Sequence, residues 1–196
     1  VLAAKPAVAA PLLLVLPGDV PLVPPQALRR LVDFHLRNSF TLSFLSMELP
    51  EPGRYGRVVR QEGQVVRIVE AEDASPEELA IREVNSGIFC LSNRPEVWEA
   101  LAGLSRRNAQ GEYYLTDLVA RFAPGGGVGA LPWSPAEDLL GVNDRLDLAR
   151  LERVLQGRLT RRLLREGVSI PHPEAVYLSP RVEVGADTVL WPHTYL

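Results

Sequence analysis

The sequence is nearly without lysine, cysteine and methionine: Lys5, Cys90 and Met47 are the only ones. A lone cysteine cannot close an intrachain disulfide, so no disulfide framework is available and a reducing compartment suits the chain. Cys90 lies in the apolar stretch Ile88-Phe89-Cys90-Leu91, where a small buried side chain is expected. Long hydrophobic runs are also lacking. Leu12 to Leu16 is far too short to span a bilayer, so no membrane partner is expected. Lys5 ahead of that run has the look of a secretory signal. However, the run leads into Pro17-Gly18-Asp19 without a small-residue cleavage pattern, and the chain does not begin with Met. These features imply a cytoplasmic protein and a truncated one. There is no excess of positive charge: the net charge of -3 argues against nucleic acid as a partner. No zinc spacing, nucleophile elbow or Walker loop is present. His35, His172 and His193 stand in no metal-ligand spacing and are read as structural or exposed.

What is there is an ordinary globular composition, 46% hydrophobic and 23% charged, in 196 residues. That length suffices for one domain with an appendage. Leu12 to Leu16 reads as a strand buried on both faces and ending at a loop. Pro24-Pro25 opens a helix over Gln26 to Arg37, with Leu28, Leu31, Val32 and His35 on one face. Phe40 to Leu49 reads as the next strand. Strand, helix, strand in that order favours an α/β sheet with crossovers. Val58-Val59 and Val65 to Val69 flank a Glu62-Gly63 turn, a hairpin pattern. Ser75-Pro76-Glu77-Glu78 has the form of a capping box. Ile88 to Leu91 is a further strand, Pro95 to Leu104 and Glu112 to Phe122 are helical, and Val128 to Trp133 is a strand after a triple-glycine loop.

A long helix is expected from Asp144 to Glu166, with Leu148, Leu151, Leu155, Leu159 and Leu163 as its stripe and Gly167 as its stop. Its arginines, Arg150, Arg153, Arg158, Arg161, Arg162 and Arg165, read as a solvated connector face. Beyond Gly167 the period changes. Leu178, Val184, Leu190 and Leu196 recur every six residues, with Val182, Thr188 and Thr194 in step. A six-residue aliphatic period suggests a hexapeptide β-helix, in which each short strand stacks its inward residue on the one before.

Chemistry-bearing residues gather where strands end. Asp19 follows a strand directly, and the carboxyl edge of an open α/β sheet is where ligands bind. A carboxylate there can hold Mg²⁺ against a phosphate, or it can belong to a Pro-Gly turn. Glu70 ends a strand and can accept from sugar hydroxyls, or it is a surface carboxylate. Asn85 offers donor and acceptor to a sugar amide or hydroxyl, or it is a turn residue. Gly56 allows close backbone approach to a ligand, or a plain turn. Asn143 precedes the long helix, where an N-cap is the alternative role.

These weak signals fall in a specific order: G-D-V-P-L at Gly18 to Leu22, Y-G-R at Tyr55 to Arg57, and I-V-E-x-x-D-A at Ile68 to Ala74. V-N-S-G-I at Val84 to Ile88, N-A-Q-G-E-Y-Y-L-T-D at Asn108 to Asp117 and G-V-N-D-R at Gly141 to Arg145 follow. Together with the hexapeptide tail they resemble the bacterial family of bifunctional N-acetylglucosamine-1-phosphate uridylyltransferase / glucosamine-1-phosphate acetyltransferase enzymes, over essentially the whole chain.

The resemblance implies a Rossmann-like nucleotidyltransferase sheet lacking its N-terminal part over residues 1–143, a linker helix over 144–167, and the first coils of a left-handed parallel β-helix over 168–196. It implies synthesis of UDP-N-acetylglucosamine from UTP and N-acetylglucosamine 1-phosphate with release of pyrophosphate, feeding peptidoglycan precursor supply. Asp19 and Asn143 match the Mg²⁺ ligands; Gly18, Asp19, Gly56, Glu70, Asn85 and Asn143 match substrate-binding positions. No catalytic residue separate from these ligands is implied. The tail matches the start of an acetyltransferase domain that uses acetyl-CoA and assembles as a homotrimer. The family's glycine-rich nucleotide loop, L-A-A-G-x-G-T-R-M, should precede Val1 and is absent, as are the downstream G-T-x-H-A stretch and, beyond Leu196, the acetyltransferase's histidine. This polypeptide alone is therefore expected to be inactive in both reactions; turnover by purified chain with UTP, sugar phosphate and Mg²⁺ would refute that. Two other readings stand beside it: a related nucleotidyltransferase for glucose or mannose phosphate, and a non-catalytic trimerisation module.

Overall fold

The computed structural model describes residues 1–196, in two units, Val1–Gly141 and Val142–Leu196. In the first unit a short 3₁₀ helix, Leu2–Ala7, leads to strand β1 (Leu12–Val15). Pro25 then opens helix α1 (Pro25–Arg37): its fixed φ suits the first turn, and its missing N–H costs nothing there. Strand β2 (Leu42–Glu48) follows, then the hairpin of β3 (Arg57–Gln61) and β4 (Gln64–Val69). Glu62 and Gly63 turn that hairpin with positive φ at both positions, as a two-residue turn requires. Helix α2 (Pro76–Leu79) starts with the expected capping box, Ser75 accepting from the Glu78 N–H and Glu78 from the Ser75 N–H. Strand β5 (Glu83–Ser92), helices α3 (Pro95–Ala102) and α4 (Asp117–Phe122), and strand β6 (Val128–Pro132) complete the unit.

The sheet is mixed. β5 runs antiparallel to β1, β2 and β3, while β2 and β6 pair in parallel. β1 and β2 therefore point the same way, as a strand–helix–strand crossover demands, but β5 lies between them in the opposite sense. β2 occupies one edge of β5 along its length; the other edge is shared by β1, at residues 89–92, and by β3, at Val84. β1 pairs with β5 alone, and Leu14 and Leu16 are exposed, so the expected burial of this strand on both faces does not hold. The reason is positional: an edge strand has a neighbour on one side and less cover above and below. β2, inside the sheet, is the strand buried on both faces. Leu42 and Phe44 meet Phe89, Leu91, Trp98, Leu118 and Val119 on one face. On the other, His35 of α1 stands between Ser43 and Ser92, its Nδ1 2.9 Å from Ser43 Oγ and its Nε2 3.0 Å from Ser92 Oγ.

Two helices are shorter than the sequence pattern indicates. α4 begins only at Asp117, because Asn108 clasps the backbone of Glu112 through both its N–H (3.0 Å) and its C=O, forming a loop instead. α3 ends at Ala102, before Gly103.

In the second unit, Asp144 caps helix α5 (Arg145–Arg165), accepting from the Leu146 and Asp147 N–H groups at 2.8 and 2.9 Å. Of the leucine stripe, Leu151, Leu159 and Leu163 are buried; Leu148, in the first turn, is exposed. Gly167 leaves the helix at φ 92°, a left-handed value that a Cβ would resist. Val168, Ile170, Val176, Leu178 and Leu190 then pack back on Leu159 and Leu163. Of the six-residue repeat, Leu178 and Leu190 are buried and Leu196 is exposed. The segment carries two isolated parallel bridges, Ser169 with Val189 and Tyr177 with Tyr195, and no continuous β-helix ladder.

Candidate functional site

β1 stops at Val15, opposite Phe89 of β5, and β3 starts at Arg57, opposite Val84 on the same side of β5, so β5 has an open edge between them; β4 ends at Val69 beside Arg57, and β6 ends at Pro132 beside Ser46 of β2. Five of the six residues singled out from the sequence belong to segments of this edge: Gly18 and Asp19 after β1, Gly56 before β3, Glu70 after β4 and Asn85 in β5. An open edge of strand ends collects loops without interrupting a ladder, which is why α/β sheets bind ligands here.

The tightest group is Gly56, Glu70 and Asn85. The Asn85 N–H donates to the Gly56 carbonyl at 2.8 Å. Asn85 Oδ1 accepts from the Gly87 N–H at 3.0 Å, which leaves the Nδ2 hydrogens free of protein acceptors. Asn85 is thus no turn residue before a strand but a member of β5, at the irregularity where β2–β5 register shifts between Phe44 and Ser46. A methyl group on Gly56 would come within 2.9 Å of both Glu70 Oε2 and Ile68 Cγ2. Glycine is therefore the residue that lets this backbone lie under the Glu70 carboxylate. Arg57, almost fully buried, donates to the Tyr55 carbonyl and so fixes the turn that carries Gly56.

Glu70 is half-buried, and burial pushes its carboxyl above the ordinary range. The Thr116 hydroxyl, donating to Oε1 at 2.7 Å, opposes that rise, and Glu72, Asp117 and Asp73 add to it. A folded-state proton held more tightly than in the unfolded chain means that Glu70 costs stability as pH rises through its own raised pKa. Asp73 also accepts from the Ala109 N–H at 2.9 Å, tying the Asn108–Glu112 loop to the segment that bears Glu70.

Asp19 is exposed in the loop after β1, and a Cβ on Gly141 would meet its Oδ2 at 3.4 Å. The Gly141 N–H donates to the Tyr55 hydroxyl at 2.9 Å, so the loops of Asp19, Tyr55 and Gly141 converge. Gly87, at φ 78°, leaves room for Pro17, whose Cγ would stand 2.8 Å from a Cβ there. The Asp19 loop thus rests on the strand that carries Asn85. Gly18 has open space around its Cα.

Asn143 lies in the second unit. It is not the N-cap, which is Asp144; its N–H and Nδ2 both donate to Asp147 Oδ2, at 3.1 and 3.2 Å. These bonds hold the Asp147 carboxyl low and leave Asn143 Oδ1 without a protein donor. No group of three or more His, Cys, Asp or Glu side chains is placed to hold a metal ion. Asp19 and Asn143 supply hard oxygen atoms, the donor type that Mg²⁺ takes one or two at a time beside phosphate and water. Thr116, Asp73 and Tyr55 were not singled out from the sequence. All three lie in or beside the quoted motifs, and only their contacts reveal a role.

No protein-family model matches the chain. It is 44% identical over 181 residues to the bifunctional protein GlmU of Syntrophotalea carbinolica, which takes in 92% of this chain and 39% of that protein. With the bifunctional protein GlmU of Geobacillus sp. it shares 40% identity over 185 residues, 93% of this chain and 40% of that protein. The chain thus spans about two fifths of the length of these curated relatives. Among solved structures, one assigned as a glucose-1-phosphate thymidylyltransferase from Bacillus anthracis, in complex with a sucrose, superimposes with a TM-score of 0.59 at 18% identity. It covers 78% of this chain and 58% of that one. A CMP:2-keto-3-deoxy-manno-octonic acid synthetase complexed with CTP gives 0.53 at 16% identity, covering 81% and 66%. At these identities the likeness to the two solved structures is one of fold alone.

Proposed function

This chain belongs to the family of the bifunctional GlmU proteins, of which it spans about two fifths, and from that premise we propose that it carries the sugar-phosphate side of a uridylyltransferase. The reaction is transfer of UMP from UTP to N-acetylglucosamine 1-phosphate, giving UDP-N-acetylglucosamine and pyrophosphate. The observation that carries the reading is the cluster of Gly56, Glu70 and Asn85 at the sheet edge, three residues distant in sequence. Glu70 Oε2 can accept from a sugar N–H or hydroxyl, and Asn85 Nδ2 can donate to a sugar oxygen. The absent Cβ of Gly56 lets its backbone lie against the Glu70 carboxylate, keeping Oε2 at the subsite.

The chemistry asks for no protein nucleophile. A sugar phosphate oxygen attacks the α-phosphorus of UTP in line with the departing pyrophosphate, so the protein's part is positioning and charge neutralisation. In this reading Asp19 and Asn143 are the Mg²⁺ ligands, and the ion supplies positive charge beside the phosphates. Gly18 and Asp19 border the nucleotide sugar. Glu70 and Asn85 favour the acetylated sugar over glucose or mannose phosphate.

The remaining assignments rest on the same family match. Residues 1–143 form the nucleotidyltransferase part, 144–167 the linker helix, and 168–196 the opening coils of a left-handed β-helix that serves acetyl-CoA chemistry in a cytoplasmic homotrimer. The six-residue period and the parallel bridge from Tyr177 to Tyr195, three periods later, support the β-helix.

Titration calorimetry of the chain with N-acetylglucosamine 1-phosphate tests the central claim. Saturable binding that exceeds binding of glucose 1-phosphate, and that Glu70→Gln and Asn85→Ala each weaken, is the expected result. Equal binding of the two sugar phosphates, or none, would overturn it.

A further inference from the structure

Thr116 stands at the N-cap position just before α4, where a threonine hydroxyl ordinarily accepts from a backbone N–H of the helix. It does not do so here: α4 has no side-chain cap. The hydroxyl instead donates to Glu70 Oε1 at 2.7 Å, across to the end of β4, and Thr116 is itself 5% exposed. The two oxygens of Glu70 are thereby given different tasks. Oε1 is held by Thr116. Oε2 lies over Gly56, in the space a Cβ would fill, and takes no hydrogen bond from the protein. A Glu side chain has three rotatable bonds, and a single buried donor is what selects one orientation of its carboxylate.

We propose that Thr116 is a positioning residue for the sugar subsite, holding one oxygen of Glu70 so that the other faces the ligand across Gly56. This rests on the sugar-phosphate reading of the site. It adds to that reading the residue just before α4, whose Leu118 and Val119 share a buried cluster with Val65 and Ile68 of β4. Thr116 contributes no contact with the reacting atoms; its role runs through Glu70.

The surroundings make the role testable. The charged and titratable groups around Glu70 are Glu72 and Asp73 on its own segment, Asp117 and Tyr114 beside Thr116, and buried Arg57 of β3 near Glu72. Three carboxylates and burial favour the protonated form of Glu70, and the Thr116 hydroxyl is the hydrogen bond that favours the ionised one. Thr116→Val keeps the shape and removes the donor; Thr116→Ser keeps the donor.

The test has two arms. In the first, the Glu70 side-chain carbon is followed by NMR against pH without ligand. The expected result is a midpoint about one pH unit higher in Thr116→Val and close to the parent in Thr116→Ser, since a bond to an ionised group favours that form by about tenfold. An unmoved midpoint in Thr116→Val overturns the proposal whatever the ligand. In the second, calorimetry with N-acetylglucosamine 1-phosphate at pH 7.5 should show binding weakened about tenfold in Thr116→Val and restored within about threefold in Thr116→Ser. Parent chain that binds while Thr116→Val binds equally well sinks the positioning role alone. Parent chain that fails to bind, beside a shifted Glu70 midpoint, sinks the sugar reading and with it the role of Thr116 in a sugar subsite.

Discussion

The two units reach a buried core by different means. In Val1–Gly141 the core comes from strands that are distant in the chain: β2 and β5 pair over nearly their whole length, and β1 and β6 join from either end of the unit. In Val142–Leu196 it comes from α5 and the turns directly behind it, with Leu159 and Leu163 meeting Val168, Ile170, Val176, Leu178 and Leu190. The first unit buries polar side chains in hydrogen-bonded groups, such as His35 with Ser43 and Ser92, or Ser46 with the half-buried Glu83. The second leaves large apolar side chains outside: Trp191 is 66% and Tyr195 75% exposed, and Tyr195 stacks on Tyr177 at 5.9 Å. A sheet with long-range pairing can fix polar groups at its edge and still be held. A short stack over one helix has little core to spare, since its stability adds repeat by repeat.

That contrast can be broken by separating the two cores. Phe44, fully buried and 5.6 Å from Phe89, is the largest lever in the first unit. Phe44→Ala should cost about 3 to 5 kcal/mol there. Hydrogen exchange should then show lost protection in β2 and β5 while α5 amides keep theirs; equal loss in both would mean that the units do not open separately. Leu178→Ala, at a position with no exposure, should cost about 2 to 5 kcal/mol in the second unit alone. It should release the amides of residues 168–196 and leave the strands protected.

The next effect is smaller in stability and larger in function. Gly56→Ala forces a methyl against Glu70 and Ile68, and the expected cost is about 1 to 3 kcal/mol. Sugar-phosphate binding should fall more than the thermal midpoint does, and a variant that binds normally would remove Gly56 from the site.

The smallest effect is a pH slope in the first unit. Burial, with Arg94 nearby, lowers the pKa of His35 from its ordinary 6.5. Below pH 6.5 the unfolded chain therefore takes up a proton that the folded chain refuses. Stability is present in full above that value and is lost as pH falls toward the depressed folded value. Urea midpoints reported by β2 amides should drop between pH 7.5 and 5.5, and less so in His35→Gln.

Much of this was readable from residue order. The capping box at Ser75, the Glu62-Gly63 turn, the proline start of α1 and the glycine stop of α5 are local rules, decided within a few residues, and each is found. What was misjudged depends on neighbours that are remote in the chain. An apolar run reads the same at an edge as inside a sheet, so β1 looked fully buried and is not. Asn85 before an apolar run reads as a turn, yet pairing with β2 and a bond to the Gly56 carbonyl draw it into β5. Glu112 to Phe122 carries a helical pattern, but the Asn108 clasp takes its first residues into a loop. Within the candidate site, the motifs named Gly56, Glu70 and Asn85. Thr116 lies inside a quoted motif but without a role, because a threonine before a helix has the same local sequence whether it caps or reaches across to a carboxylate.

The sequence by itself determined the order of most elements, several of their caps and turns, and the family likeness, because propensity, periodicity and motif order act over short stretches or by direct likeness. Only the tertiary structure decided that β5 runs against its neighbours and that Gly56, Glu70 and Asn85 meet. It also decided that one oxygen of Glu70 is held while the other is left free. Those outcomes depend on strand pairing and side-chain contacts between residues far apart in the chain, which a local pattern does not encode.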